Sequence, residues 1–128
     1  MTATDGELLV RIVDGIAHVT LNRPQSRNAL TFGMYEELAK LCALAGTADD
    51  ADHIKVIVIA GAGDKAFAAG TDIGQFTAFD STEDGLRYEA KVEAVISQIE
   101  SCHVPVIAAL HGAVTGGGLV IAAAAHVR

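Results

Sequence analysis

IKVIVIA, residues 54–60, is a near-continuous apolar run that leads directly into a loop of glycine and alanine, residues 61–70. Such a run suits a strand that is buried on both faces of a sheet. Residues 106–110, introduced by Pro105, form a second run of this kind and precede the glycine-rich loop 112–118. Two buried strands, each followed by a glycine-rich loop, predict an α/β fold with parallel strands.

The segment before the first buried strand predicts a hairpin and a helix. Two β-prone runs, residues 8–13 and 16–21, are separated by Asp-Gly, a pair that supplies the positive φ angles of a two-residue hairpin. After the polar loop 22–28, Thr31 is a good helix N-cap and Gly46 is a stop signal. The apolar positions of this first helix form one stripe: Met34, Leu38, Leu41, Cys42 and Ala45.

Two further helices are expected in the second half of the chain. One runs from the capping-box residues 81–84 to about Glu100, and the other covers residues 119–127. The apolar stripe of the longer helix comprises Leu86, Val92, Val95, Ile96 and Ile99. Short turns between strands and helices predict right-handed crossovers. Residues 1–128 are therefore either one small domain or the front part of a larger one.

Composition argues against several classes of function. Nine Lys and Arg residues against 16 Asp and Glu residues give a formal net charge of -7, which disfavours nucleic acid. The most apolar stretch, residues 104–127, is interrupted by Pro105 and by the glycines at 116–118, so no membrane span is expected. The five histidines show no ligand-like spacing with carboxylates or cysteines, so no metal site is expected.

The cysteines and the N-terminus bear on the compartment. Cys42 and Cys102 match no metal or redox pattern and are expected to be buried free thiols in a reducing environment. The first residues contain no cationic region followed by an apolar one, so no secretory signal is expected. Together these features predict a cytoplasmic protein.

The two glycine-rich loops are the candidate ligand-binding elements, since open α/β sheets bind ligands at the carboxyl ends of their strands. Backbone N–H groups from two loops that point to one position form an oxyanion hole, which stabilises negative charge on a carbonyl oxygen. The spacing alone leaves open that these glycines only make tight turns. Residues 61–66, GAGDKA, also match a dinucleotide fingerprint, although that motif should open a long helix and FAAG at 67–70 predicts more loop.

Three motifs in order resemble the crotonase superfamily, the enoyl-CoA hydratase/isomerase family. They are NRP at 22–24 with NAL at 28–30, KAFAAGTDI at 65–73 and HGAVTGGG at 111–118. The resemblance covers nearly all of residues 1–128 but corresponds to about the first half of a usual member, so the domain is expected to be truncated at its C-terminus. It implies the N-terminal portion of a spiral of ββα units, with mostly parallel buried strands and glycine-rich loops at their C-terminal ends.

The resemblance also implies an enzyme, a lyase or isomerase of fatty acid metabolism. Such an enzyme binds an acyl-CoA thioester and stabilises its enolate with two backbone N–H groups, here those of Thr71 and Gly117. No cofactor is implied beyond the coenzyme A of the substrate, and a homo-oligomer, trimer or hexamer, is expected. The implied residues that bind CoA or substrate are Gln25, Ser26, Arg27, Ala66, Ala68, Asp72, Ile73 and Gly116. Arg27 in its polar loop also suits a merely solvated side chain, and Asp72 also suits a helix cap.

Three departures from the family pattern limit the prediction. Hydratases of the family use two glutamates, one of them three residues after the middle glycine of the glycine-rich loop, where this chain has Val120. Valine cannot transfer a proton, and the second glutamate would follow after Arg128, so the general acid and base are unassigned. His126, where relatives commonly carry aspartate, is expected to be a surface residue. The alternative is therefore an inert module for acyl-CoA binding or oligomerisation.

Overall fold

Two or three successive strands precede each α-helix in the computed structural model, which describes residues 2–3, 6–71 and 82–128. The strands are β1 (Thr2–Ala3), β2 (Leu8–Val13), β3 (Ile16–Leu21), β4 (Val56–Gly61), β5 (Ala66–Ala69), β6 (Val106–Ala109) and β7 (Ala113–Thr115). The helices are α1 (Phe32–Leu44), α2 (Thr82–Glu100) and α3 (Gly117–Ala124), with a 3-10 turn at Pro24–Ser26.

The larger sheet has the strand order β1-β2-β3-β4-β6. Its first three strands are antiparallel, and β3, β4 and β6 are parallel. The predicted hairpin is confirmed, because Leu8 pairs with Leu21 and the turn residues Asp14 and Gly15 have φ angles of 51° and 79°. The predicted α/β class with mostly parallel strands is confirmed as well.

A second sheet, of strands β5 and β7, forms where the sequence predicts only loop. The two strands are parallel, with Ala66 paired to Ala113 and Ala69 paired to Thr115. The prediction of continuous loop is wrong because small side chains let the two segments approach closely enough to share backbone hydrogen bonds. The dinucleotide interpretation is also wrong, since the fingerprint at 61–66 leads into strand β5 instead of opening a helix.

One hydrophobic cluster joins the larger sheet to the helices. In β4, Ile57 and Ile59 are fully buried, whereas Val56, Val58 and Ala60 are only half-buried. The expected burial of this strand on both faces is therefore met on one face only, because the described elements cover the second face partly. The strand also begins two residues later than predicted.

The helices agree with the sequence signals at the start of α1 and the end of α2, and they differ from them at other positions. Thr31 caps α1 as predicted, its Oγ1 accepting a hydrogen bond from the Met34 N–H at 3.2 Å. Helix α2 ends at Glu100 as predicted, but Leu86 is 61% exposed and does not belong to the buried stripe. Helix α3 begins at Gly117, two residues before its predicted start, and ends at Ala124. Ser81 of the predicted capping box lies outside the described residues.

His126 is exposed, as predicted, but its ring connects three parts of the fold. The Nδ1 atom accepts a hydrogen bond from the Val106 N–H at 2.9 Å, and Nε2 lies 3.2 Å from the carbonyl oxygen of Glu100. Because Nδ1 accepts, the neutral ring carries its proton on Nε2, which donates to Glu100. His126 therefore fastens the segment after α3 to both β6 and the end of α2.

The two cysteines meet the expectation of buried free thiols only in part. Both thiols are free; Cys42 is buried and Cys102 is half-buried. Burial is the main cause that raises the pKa of Cys42 to about 12, with a smaller effect from Cys102. Cys42 is thus a neutral core group at physiological pH.

Within the described parts of the chain, no helix has both the length and the apolar character that crossing a membrane requires.

Asp50 is buried in the connection between α1 and β4 and is expected to make stability dependent on acid. Its carboxylate accepts hydrogen bonds from the N–H groups of Gly46, Ile54 and Asp52 at 3.0, 2.8 and 3.2 Å. Burial tends to raise the pKa of this carboxyl, but the three N–H groups, with a smaller effect from the nearby His53, outweigh burial and hold the pKa below its usual value. The folded state thus favours the ionised form.

We expect Asp50→Asn to lower the free energy of unfolding at pH 7 by about 1 kcal/mol, the contribution of a charged acceptor after allowance for solvent. A depressed pKa in the folded state contributes stability above the unfolded value, about 3.9, and loses it as pH falls further. The difference between wild type and variant, measured by urea unfolding, should therefore shrink below about pH 4. The exposed neighbour Asp49, as Asp49→Asn, is the control, and an equal effect of both variants would contradict this role of Asp50.

Candidate functional site

Asn28 connects the loop before α1 to the turn after β4. Its side chain is fully buried, and its backbone φ of 57° lies in the left-handed region, which asparagine tolerates well. The Nδ2 group donates to the carbonyl oxygens of Ala62 and Ala66, both at 2.9 Å, and Oδ1 accepts from the Arg23 N–H at 2.9 Å. The sequence motif contained Asn28, but the prediction assigned it no role; a polar residue directly before two apolar ones was the available signal.

Arg23 holds the same loop from the other side. Its guanidinium donates from Nη1 to the carbonyl oxygen of Ala29 at 2.6 Å, and its Nε lies 2.9 Å from Oε2 of Glu7. Glu7 also accepts from the Thr31 hydroxyl at 3.2 Å. The arginine of the NRP motif is therefore a support of the loop and of the start of α1.

A cavity of about 200 Å³ lies between this loop and the turn that follows β4. Pro24, Arg27 and Asn28 line one side, and residues 62–66 line the other. The lining contains two cationic residues, Arg27 and Lys65, and one acidic residue, Asp64, so its formal net charge is positive. Lys65 was missed as a site residue because nothing in its local sequence distinguishes it from a solvated lysine.

Of the predicted CoA-binding residues, the structure brings some to this cavity and not others. Arg27 and Ala66 line it, and Arg27 is exposed. Gln25 and Ser26 lie beside it in the exposed 3-10 turn and do not belong to its described lining. Ala68 is fully buried in β5 and packs against α3. Asp72 and Ile73 lie outside the described residues.

The ends of β5 and β7 meet at the predicted donor residues. The Gly70 N–H donates to the carbonyl oxygen of Thr115 at 2.9 Å, and Gly116, with a φ of 54°, packs so closely on Gly70 that an added Cβ atom would lie 2.8 Å from the Gly70 Cα. A Cβ atom on Gly117 would lie 2.8 Å from Oγ1 of Thr71. The structure therefore places Thr71 and Gly117 side by side.

Gly117 also has a backbone N–H suited to an external acceptor. It is the first residue of α3, and the N–H groups of a first helical turn have no acceptor within their own helix. The helix dipole favours negative charge at this end. Val120, one turn further on, is half-buried and offers no group for proton transfer.

Two tyrosines surround the Thr71 side chain. The Tyr35 hydroxyl lies 2.8 Å from Oγ1 of Thr71, and the Tyr88 hydroxyl donates to the same atom at 3.3 Å. Tyr35 is 1% exposed, and burial is the main cause that raises its pKa above the ordinary value. The half-buried Tyr88 ring packs on Phe32, with ring centroids 5.3 Å apart. Sequence reasoning missed both tyrosines because they lie on different helices and no local pattern connects them with Thr71.

Known proteins resemble this chain over almost its full length. Residues 11–128 match the family described as Enoyl-CoA hydratase/isomerase. The chain is 34% identical over 124 residues to the peroxisomal Delta(3,5)-Delta(2,4)-dienoyl-CoA isomerase of Arabidopsis thaliana. This match covers 88% of this chain and 43% of that protein. It is 34% identical over 116 residues to the fatty acid oxidation complex subunit alpha of Idiomarina loihiensis, covering 90% of this chain and 16% of that protein.

The fold has close counterparts among solved structures. An enoyl-CoA hydratase/carnithine racemase from Magnetospirillum magneticum superposes with a TM-score of 0.85 at 33% sequence identity. The superposition covers 99% of this chain and 46% of the other. The chain thus spans less than half the length of each of these relatives.

Proposed function

The chain belongs to the enoyl-CoA hydratase/isomerase family, and on that premise we propose that it binds an acyl-CoA thioester and stabilises the thioester enolate with the backbone N–H groups of Thr71 and Gly117. The observation that carries the proposal is the contact between these two residues at the ends of the paired strands β5 and β7. They come from two glycine-rich loops that are far apart in sequence. Their meeting favours an oxyanion hole over the interpretation that the glycines only make turns.

The chemistry follows from where negative charge develops. When a proton leaves the carbon next to a thioester carbonyl, or a nucleophile adds to the conjugated double bond, charge moves onto the carbonyl oxygen. Two fixed N–H donors stabilise that charge without reorganising during the reaction. The start of α3 at Gly117 adds its dipole. Double-bond isomerisation and hydration both pass through this charge, and the names of the relatives include both activities.

The cavity beside the 3-10 turn is the proposed site for the anionic part of coenzyme A. Arg27 and Lys65 line it, and phosphate groups are well matched by such cations. In this proposal coenzyme A is part of the substrate, and no separate cofactor takes part. The predicted homo-oligomer, trimer or hexamer, and the predicted cytoplasmic location stay predictions.

A second candidate function is acyl-CoA binding without catalysis. It is favoured by Val120, which stands where hydratases of the family are expected to have a catalytic glutamate. The two candidates share the oxyanion site and differ in proton transfer. If the chain is a hydratase or an isomerase, its general acid and base must be groups other than Val120.

Calorimetric titration with a short acyl-CoA tests the shared proposal, with NAD as the control ligand. We expect saturable binding of acyl-CoA and none of NAD. Arg27→Gln and Lys65→Gln should each weaken binding about fivefold, because a partly exposed ion pair contributes up to about 1 kcal/mol. The matched control is Lys55→Gln, an exposed lysine just before β4, at the opposite end of that strand. Absence of acyl-CoA binding by the wild-type chain would contradict the proposed function.

Turnover separates the two candidates. The protein is incubated with an enoyl-CoA, and products of water addition and of double-bond migration are separated by chromatography. Either product, formed in proportion to protein and lost on heating, supports the enzyme. Binding with neither product supports the binding module.

A further inference from the structure

Three hydroxyl groups from different parts of the chain meet beside the proposed oxyanion hole. Tyr35 comes from α1, Tyr88 from α2 and Thr71 from the segment after β5. Oγ1 of Thr71 lies 2.8 Å from the Tyr35 hydroxyl and 3.3 Å from that of Tyr88. This hydroxyl cluster, Tyr35, Thr71 and Tyr88, joins both long helices to one of the two proposed donor residues.

The same cluster contacts the other donor residue. A Cβ atom added at Gly117 would lie 2.3 Å from the Tyr35 hydroxyl oxygen and 2.8 Å from Oγ1 of Thr71. The two oxygens thus occupy the space that a side chain at Gly117 would need. The Tyr35 hydroxyl is therefore in contact with both residues whose N–H groups are proposed to bind the thioester oxygen.

We propose that Tyr35, assisted by Tyr88, is a positioning residue that sets the orientation and separation of the Thr71 and Gly117 N–H groups. This inference rests on the proposed function. In this proposal Tyr35 acts through its hydroxyl, which contacts Thr71. A phenylalanine at this position would fill the same buried space without that hydrogen bond. Tyr88 contributes less, because its hydroxyl is further from Thr71 and its side chain is only half-buried.

The ionisation state of Tyr35 agrees with this role. Burial raises its pKa above the ordinary tyrosine value, near 10, so the hydroxyl keeps its proton at neutral pH. A neutral hydroxyl serves as a hydrogen-bonding support and not as a base. A well-placed oxyanion donor contributes about 10²–10³-fold to rate, so a small misplacement of two donors is measurable.

The test is the carbonyl band of bound acyl-CoA in the infrared. The band is identified in the difference spectrum between complexes with ¹²C and with ¹³C at the thioester carbonyl, in which the protein bands cancel. Hydrogen bonds to the oxygen move the band of the bound ligand to lower frequency. We expect Tyr35→Phe to return the band most of the way to its position in free acyl-CoA and to weaken binding only about two- to fivefold, the scale of one neutral hydrogen bond. Tyr88→Phe should give a smaller return. Ser101→Ala, which removes a hydroxyl that follows α2 and donates to the Ser97 carbonyl oxygen, should leave the band unchanged.

A merely structural role for Tyr35 would lower stability or affinity without moving the band of the ligand that still binds. A shifted band in wild type that is unchanged in Tyr35→Phe would overturn the inference and leave the proposed function standing. Absence of binding, or of any shift in wild type, would overturn both. If Tyr35→Phe does not fold, Thr71→Val removes the same hydrogen bond from the other partner while keeping the Thr71 N–H, and the same band return is expected.

Discussion

Replacing Gly118 by alanine is expected to lower the free energy of unfolding by about 3 kcal/mol or more and to abolish acyl-CoA binding. A Cβ atom at this position would lie 2.1 Å from the carbonyl oxygen of Ala68 and 2.7 Å from its Cβ atom. Ala68 belongs to β5 and is fully buried, so the obstacle is strand backbone and cannot rotate away. Helix α3 would have to move outward, which would separate Gly117 from Thr71.

Gly85 provides a matched control within another helix. It lies in α2, and a Cβ atom added there meets nothing within 4 Å. Gly85→Ala should raise the free energy of unfolding by about 0.5–1 kcal/mol, because glycine inside a helix is less favourable than alanine by that amount. Urea unfolding measures both variants, and calorimetry measures binding. A Gly118→Ala variant as stable as wild type would show that α3 does not pack on β5 as closely as the structure has it.

Replacing Asn28 by alanine is expected to lower the free energy of unfolding by about 3–5 kcal/mol. The variant would leave the carbonyl oxygens of Ala62 and Ala66 and the N–H of Arg23 without their present partner, and an unsatisfied buried group costs about 1–3 kcal/mol. Alanine also tolerates the φ of 57° less well than asparagine does. Because the same bonds shape the cavity at Arg27, binding of acyl-CoA should fall together with stability.

Asn22 offers the control for this substitution. Its side chain makes one exposed hydrogen bond, to the carbonyl oxygen of Gly6 at 3.3 Å, so Asn22→Ala should change the free energy of unfolding by less than about 0.5 kcal/mol. Asn28→Asp separates shape from hydrogen bonding, since it keeps the size of the side chain but sets an acceptor against two carbonyl oxygens. It should be at least as damaging as Asn28→Ala. Equal effects at Asn22 and Asn28 would refute the role assigned to the buried side chain.

Elements set by neighbouring residues could be predicted from the sequence. The hairpin turn at Asp14 and Gly15 and the cap of α1 at Thr31 depend on conformations and hydrogen bonds within a few residues, and both are confirmed. The prediction that Thr71 and Gly117 act together came from a resemblance of motifs and not from local chemistry. The structure brings these two residues together, while their role as donors stays a proposal.

The features that sequence reasoning missed depend on partners far along the chain. The pairing of β5 with β7 has no local signal, because alanine-rich segments of this length read equally well as loop. Asn28 belonged to a recognised motif, but its role depends on hydrogen bonds to Ala62 and Ala66, which are more than 30 residues away in sequence. Tyr35 and Tyr88 each have the spacing of ordinary helix residues, and only the packing of α1 and α2 around Thr71 brings their hydroxyls together.

Because Thr71 and Gly117 follow strands β5 and β7, the positions of these two proposed donors depend on the folding of the rest of the chain. Ala66 and its partner Ala113 are 47 residues apart in sequence, and the intervening chain includes all of α2. Closing so long a loop costs conformational entropy that two strands of four and three residues cannot recover by themselves. The cost is met by the cooperative folding of the larger sheet and its helices. The geometry at Thr71 and Gly117 is therefore a property of the whole chain, and no excised fragment that contains only the two loops should reproduce it.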